Sequence, residues 1–269
     1  MALALSVLSA CGQDAPPSGI IDRPLVGQSI NYYGILLPPD YDDPARRKTA
    51  YPLCVMIHGA GSREDQYLDL VNEHLKRDGV IYLMPRAPYV HYGETQRQGL
   101  PAFSAYPQYT TDSALSVPEA LQPGNAQVER LYTDWIAHCV ADARSHYRIQ
   151  SGKFALIGHS QGAAFGFLFA LDHPELVKAC FLAEGFYSDR LGDADAATIL
   201  NENLIHLTII HNQDDPVAPF SEGQGLVDYL QKNNVSSNHT FYPIGQHNIT
   251  EPAKQQAAAF VETWCRSGK

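Results

Sequence analysis

Nothing in this 269-residue chain approaches the ~20 consecutive apolar residues that a membrane-spanning helix needs. Basic residues are also scarce, 19 Lys and Arg against 29 Asp and Glu, and the formal charge is −10. Without a Lys/Arg run the surface lacks the cationic stripe that phosphate backbones require, which excludes nucleic acid as a partner. Metal-ligand spacings, a phosphate-binding P-loop and a dinucleotide fingerprint are missing, so no cofactor is expected. Internal repeats are missing too, which excludes a solenoid. Only five cysteines occur. Of these, Cys54 and Cys180 fall inside predicted strands, where a thiol behaves as a small hydrophobe. With Cys139 and Cys265 they make an even set compatible with an oxidising compartment, but no bridge is expected.

What the chain does have is a 45% hydrophobic composition, enough for one large core. Short apolar runs alternate with longer amphipathic ones, the pattern of βαβ units feeding a mostly parallel sheet, so the fold class is α/β. Strands are expected in "INYYGILLPP", "YPLCVMIHG", "VIYLMP", "KFALIG", "VKACFLAEG", "LIHLTIIHN" and "NHTFYPI". Helices are expected in "DQYLDLVNEHLKRDG", in 128–147 with Leu131, Trp135, Ile136 and Val140 on one face, and in "QGAAFGFLFALDHP", "FSEGQGLVDYLQKNN" and "EPAKQQAAAFVETWCR". The stretch 85–124 breaks the pattern: it is rich in Pro, Tyr, Gln and Gly and has no sustained period. A connection that long belongs to function or to disorder, and its aromatics argue against plain disorder.

The beginning of the chain, "MALALSVLSAC", is a short apolar segment closed by small residues and followed by the polar "GQDAPPSG". It has the form of an export signal and tether over 1–24, leaving 25–269 as a single domain. "LSAC" resembles the bacterial lipobox, in which the cysteine is lipidated, although the first basic residue is Arg23. The resemblance implies an exported protein, periplasmic or tethered to the membrane through Cys11.

The chemistry starts at "GHSQG", Gly158 to Gly162. When a strand turns sharply into a helix, the residue at the bend adopts a strained conformation, and its neighbours two positions away crowd it unless they lack a Cβ. Such a bend holds Ser160 Oγ clear of the sheet at a helix N-terminus, where free amides favour developing negative charge. This pattern is the nucleophile elbow. A serine hydroxyl is too weak an acid to attack unaided; it needs a histidine base, which in turn needs a carboxylate to hold its tautomer.

With those residues in place the chain, from about Asn31 onward, resembles the α/β-hydrolase superfamily, in particular its phospholipase/carboxylesterase and feruloyl-esterase-like branches. The resemblance implies the order serine, acid, histidine, each after a strand end. The acid precedes a P-V-x-P stretch, which points to Asp215 ahead of its neighbour Asp214. Asn212 stands where a glycine is usual, and an asparagine can also adopt a left-handed backbone. Of the 11 histidines only His239 and His247 follow the acid; His239 falls in the last strand, so His247 in "PIGQHNIT" is the base. His159 is expected to pack or hydrogen-bond locally. Backbone N–H groups of Gln161 and of Ala60 in "HGAGS", with Gly61 close behind, would form the oxyanion hole.

The implied reaction is hydrolysis of a small-molecule ester through an acyl-enzyme. A thioesterase, lactonase or polyester depolymerase would use the same parts, as would a serine peptidase; a non-catalytic binding protein would not need an intact triad. Gly61, His159, Tyr89, Tyr92 and Phe103 are the candidates for lining the substrate pocket. For Tyr89, Tyr92 and Phe103, as for Tyr106 and Tyr109, the alternative is that they anchor the long loop to the body.

Overall fold

The computed structural model describes residues 20–26, 30–91, 101–106, 126–187, 191 and 195–267. Strands β1 (Ile20–Val26), β2 (Ile30–Leu36), β3 (Leu53–Ile57), β4 (Ile81–Pro85), β7 (Phe154–His159), β8 (Val177–Ala183), β9 (His206–Asn212) and β10 (Ser237–Tyr242) form one eight-stranded sheet. Its order is β1-β2-β4-β3-β7-β8-β9-β10. β1, β2 and β4 pair antiparallel, and every pairing from β4 to β10 is parallel. Strands β3, β4 and β7 are buried along their whole length, as continuous apolar runs must be when helices cover both faces.

The helices are α1 (Leu68–Leu70), α2 (Ala126–His146), α3 (Gln161–Asp172), α4 (Ala196–Glu202), α5 (Phe220–Lys232) and α6 (Glu251–Val261). α2, α3, α4 and α5 pack one core against the sheet, with Tyr132, Phe165, Leu200 and Leu226 among its buried side chains. α1, α6 and the turns beside them close the second core, through Val71, Leu75, Ala257 and Phe260. Among the described residues no helix is long and apolar enough to cross a bilayer. Cys54, Cys139, Cys180 and Cys265 are all free and buried.

Several elements differ from expectation. β1 begins at Ile20, inside the stretch read as tether, because it finds an antiparallel partner in β2 that local pattern cannot reveal. The expected helix in "DQYLDLVNEHLKRDG" is broken into a 3-10 turn, the single turn α1 and a wide π-type turn, ending at Lys76 with φ 61°. On α2 the buried stripe is Val128, Tyr132, Ile136, Cys139 and Val140, one position away from Leu131, which is 60% exposed. The stretch 85–124 contains a two-stranded antiparallel ribbon, β5 (Tyr89–His91) with β6 (Ala102–Ser104). Cys11, Tyr92 and Tyr109 lie outside the described residues.

Candidate active site

Parallel register places the residues just past the strand ends side by side: Ile57 pairs with Gly158, His159 with Ala183, and Asn212 with Tyr242. The carboxyl edge of a parallel sheet is where open α/β folds bind ligands.

Ser160 occupies the bend between β7 and α3 with φ 57° and ψ −126°, outside the regions ordinary L-residues favour. The two flanking glycines explain how the bend survives. A Cβ on Gly158 would lie 2.2 Å from the Gly162 carbonyl oxygen, and a Cβ on Gly162 would lie 1.9 Å from the carbonyl oxygen of Ile57 in β3. Backbone therefore touches backbone on both sides, and the Ser160 N–H closes the bend by donating to Ala183 O at 2.8 Å.

The loop after β3 lies against the serine: a Cβ on Gly59 would sit 3.3 Å from Ser160 Cβ. It is held by buried polar groups. His58 Nε2 accepts from the Ala87 N–H at 3.0 Å, so its proton must sit on Nδ1, which donates to Gly59 O at 2.8 Å. Burial lowers the His58 pKa to about 4, keeping the ring neutral. The Gly59 N–H donates to Gln66 Oε1 at 3.0 Å. The Gly61 N–H is committed to Phe103 O at 2.9 Å, so Gly61 is not a free donor for a substrate oxygen. The Ala60 N–H has no hydrogen-bond partner among the described residues. The Gln161 N–H, first in α3, belongs to the turn whose amides a helix leaves unused.

Three side chains from distant parts of the chain form a hydrogen-bonded row. His247 Nδ1 lies 2.7 Å from Asp215 Oδ2 and His247 Nε2 lies 2.8 Å from Ser160 Oγ. With a carboxylate facing Nδ1 the proton resides there, which leaves Nε2 to accept from the serine hydroxyl. Asp215 is buried, and its Oδ1 accepts the N–H groups of Val217 at 2.8 Å and Ala218 at 2.9 Å. Asp214, the neighbouring alternative, points elsewhere: its Oδ1 accepts the Gly245 and Gln246 N–H groups at 2.8 and 2.7 Å, stapling down the loop that carries His247. His239 lies on β10, exposed and outside this row.

Glu184, one residue past β8, is a neighbour that sequence reasoning missed. It is fully buried, with Oε2 2.8 Å from His159 Nε2 and 3.9 Å from His247 Nδ1. Its Oε1 accepts from Asn212 Nδ2. Burial raises its pKa to about 8, the His247 charge opposing and the Asp215 charge adding to that rise. His159 packs its ring against His247 with centroids 5.0 Å apart, and burial lowers its pKa to about 4, with the Asp215 charge working in the opposite direction. The three groups His159, Glu184 and His247 lie within 4.8 Å of one another; Glu184 hydrogen-bonds His159, and His247 hydrogen-bonds Asp215. Asn212 does not use the left-handed backbone open to it. It ends β9, and its side chain instead ties Glu184 to Gln246 O and Asn248 O, each at 2.9 Å, on either side of His247. Only the assembled edge reveals these partners.

Of the predicted pocket aromatics, Phe103 stacks on the Arg86 guanidinium, 4.8 Å from its ring centre, while Arg86 pairs with buried Glu64. Tyr89 pairs with Ser104 across the ribbon, and Tyr106 donates to Glu129 at 2.7 Å. Through these contacts Phe103 and Tyr106 hold their segment against the body. Gln161 completes the fastening, its Oε1 accepting the Ala105 N–H at 2.7 Å. A largely polar cleft of about 310 Å³ lies beside the site, lined by His159 and Asn248 together with Gln66, Asp69, Glu73 and His74; Tyr89, Phe103 and Gly61 do not line this cleft.

A search of curated proteins gave no match. Among solved structures the fold is similar to that of esterase PE8, at TM-score 0.64 and 18% identity over 86% of this chain and 97% of that one. It is also similar to the ferulic acid esterase AmCE1/Fae1A of the anaerobic fungus Anaeromyces mucronatus, at TM-score 0.62 and 16% identity over 94% and 93% of the two chains. A third likeness is to the S-formylglutathione hydrolase FrmB of Staphylococcus aureus, at TM-score 0.61 and 15% identity over 93% and 99%. The model of the phospholipase/carboxylesterase family matches residues 44–265, and the chain belongs to that family of ester-cleaving hydrolases with the α/β-hydrolase fold.

Proposed function

We propose that this protein is a serine esterase that hydrolyses small-molecule carboxylic esters through an acyl-enzyme. The observation that carries the proposal is the unbroken row Ser160, His247, Asp215, with 2.8 and 2.7 Å links, at the edge where the strand ends meet. In this reading Ser160 Oγ attacks the ester carbon as His247 Nε2 takes the hydroxyl proton. Asp215 holds the imidazole in place and balances the imidazolium charge. The carbonyl oxygen becomes an oxyanion that the Ala60 and Gln161 N–H groups would stabilise by donating to it. Collapse of the tetrahedral intermediate expels the alcohol, which receives the proton from His247. Water, deprotonated by the same histidine, then releases the acid and restores Ser160.

The test is a set of p-nitrophenyl esters of increasing acyl length alongside an aminoacyl anilide, with a fluorophosphonate probe. Ester turnover, probe labelling of wild type and no labelling of Ser160→Ala are expected. Cleavage of the anilide alone would replace the esterase with a peptidase, and an unlabelled wild type would indicate a binding protein. Export through the N-terminal stretch and lipidation at Cys11 are proposed on sequence alone; mass spectrometry of the mature N-terminus, showing or lacking a diacylglyceryl cysteine, decides them.

A further inference from the structure

Acyl transfer as proposed uses one carboxylate, yet two face the same imidazole. Glu184 is fully buried and has φ 55°, in the left-handed region where a side chain is strained. A position that needed only this backbone would be best filled by glycine or asparagine. A glutamate adds the desolvation of a carboxyl group, and among the described residues its ionic partners are two histidines, His159 and His247. Strain and desolvation together at a site edge ask for a compensating role.

We propose that Glu184 is a positioning residue for His247: it holds the His159 ring against the imidazole and presents a second carboxyl to Nδ1 beside Asp215, strengthening the base when ionised and leaving it to Asp215 alone when protonated. This rests on the esterase reading of the same site. The geometry is specific. One carboxyl group spans His159 Nε2 at 2.8 Å and His247 Nδ1 at 3.9 Å, while its other oxygen is tied to Asn212, whose amide also grips the carbonyls on both sides of His247. A change at Glu184 is therefore felt by the base both through charge and through the loop that carries it. The groups facing Glu184 are His159 from β7, Asn212 from the end of β9, Asp214 and Asp215 from the following loop, His247 from the loop after β10, and buried Tyr187 from its own segment. His159 stays neutral down to about pH 4 because it is buried, so it brings no cation to Glu184 in the working range. The ionisation of Glu184, raised by burial to about 8, falls where an esterase is assayed.

Glu184→Gln tests this, because glutamine keeps an oxygen for Asn212 and removes the charge. The kcat/KM of wild type on p-nitrophenyl acetate should rise in two steps with pH, the upper one near 8. The variant should keep the lower step, lose the upper one, and trail wild type by about tenfold at pH 9 while staying within about twofold at pH 6, the change falling on kcat. A variant profile of unchanged shape, or a change confined to KM, overturns the proposal. Should the variant fail to fold, the downfield His247 Nδ1 proton resonance of wild type answers instead: a shift near pH 8 supports the proposal, and a resonance that is flat there overturns it. Failure of the esterase reading is distinguishable, since it would show as wild type unlabelled by fluorophosphonate or as activity retained by Ser160→Ala, and it would remove the basis for both proposals.

Discussion

The two halves of the site are held by different physics. On the nucleophile side, the bend at Ser160 is enforced by backbone contact: Gly158 against Gly162, and Gly162 against Ile57. On the base side, His247 sits in a loop held by side chains: Asp214 on the Gly245 and Gln246 amides, and Asn212 on the Gln246 and Asn248 carbonyls. A backbone-packed element tolerates almost no added atom, because interiors are close-packed and a Cβ has nowhere to go. A side-chain-tethered element degrades gradually as each tether is removed. The nucleophile half should therefore fail by steric clash and the base half by loosening.

The largest expected effect erases the comparison by removing its two ends. Ser160→Ala or His247→Ala should lower kcat on a p-nitrophenyl ester by at least about 10⁴-fold, measured on protein whose circular dichroism matches wild type. Gly162→Ala comes next, since its Cβ would meet Ile57 O at 1.9 Å. It should destabilise the fold by roughly 3 kcal/mol, with activity falling in step with the melting temperature; an unperturbed melt would show that the two backbones can part. Asp214→Ala leaves two loop amides without their acceptor, and should lower kcat about tenfold while leaving the melt nearly unchanged. Equal losses of stability in Gly162→Ala and Asp214→Ala would abolish the distinction.

Gln161→Ala sharpens it from a third direction. Its side chain holds Ala105 N at 2.7 Å, and releasing 101–106 should raise KM severalfold with kcat little changed, because the Gln161 backbone N–H remains. The smallest effect is on pH-dependent stability. Burial lowers the folded-state pKa of His58 and of His159 to about 4, below their ordinary value of 6.5. Unfolding therefore takes up protons in that window: the stability is whole above pH 6.5 and is lost as the pH falls toward 4. Urea midpoints at pH 7 and pH 5 should differ in that sense, and His58→Gln should reduce the difference.

The elbow and the alternating strands were legible from residues because each depends on local pattern, whereas the order of acid and histidine came only as what the family resemblance implied. "GHSQG" announces a bend through its glycines, and "YPLCVMI" announces a buried strand through its unbroken apolar run. Glu184, Asn212 and His58 were not legible, since each acts on a residue that is near only after the strands have paired. Nothing in "FLAEG" signals that its glutamate will face a histidine 63 positions later. In the long 85–124 stretch the aromatics spoke against plain disorder, but the contacts of Phe103 with Arg86 and of Tyr106 with Glu129 were not legible, because they are reached only across the fold. Leu131 was misplaced for a related reason: α2 rotates to suit the packing of Tyr132 against Phe165.

By itself the order of residues determined where the chain must bend, which runs must be buried and which hydroxyl is presented at a helix start, because these follow from glycine sterics and hydrophobic period over a few neighbouring positions. The tertiary structure brought Asp215 to His247, the aspartate the family resemblance had favoured, and it alone decided that a second carboxyl joins them and that the adjoining cleft is polar. Those outcomes depend on parallel register, which aligns the ends of strands far apart in the chain and so sets distances to within the few ångströms over which hydrogen bonds and buried charges act.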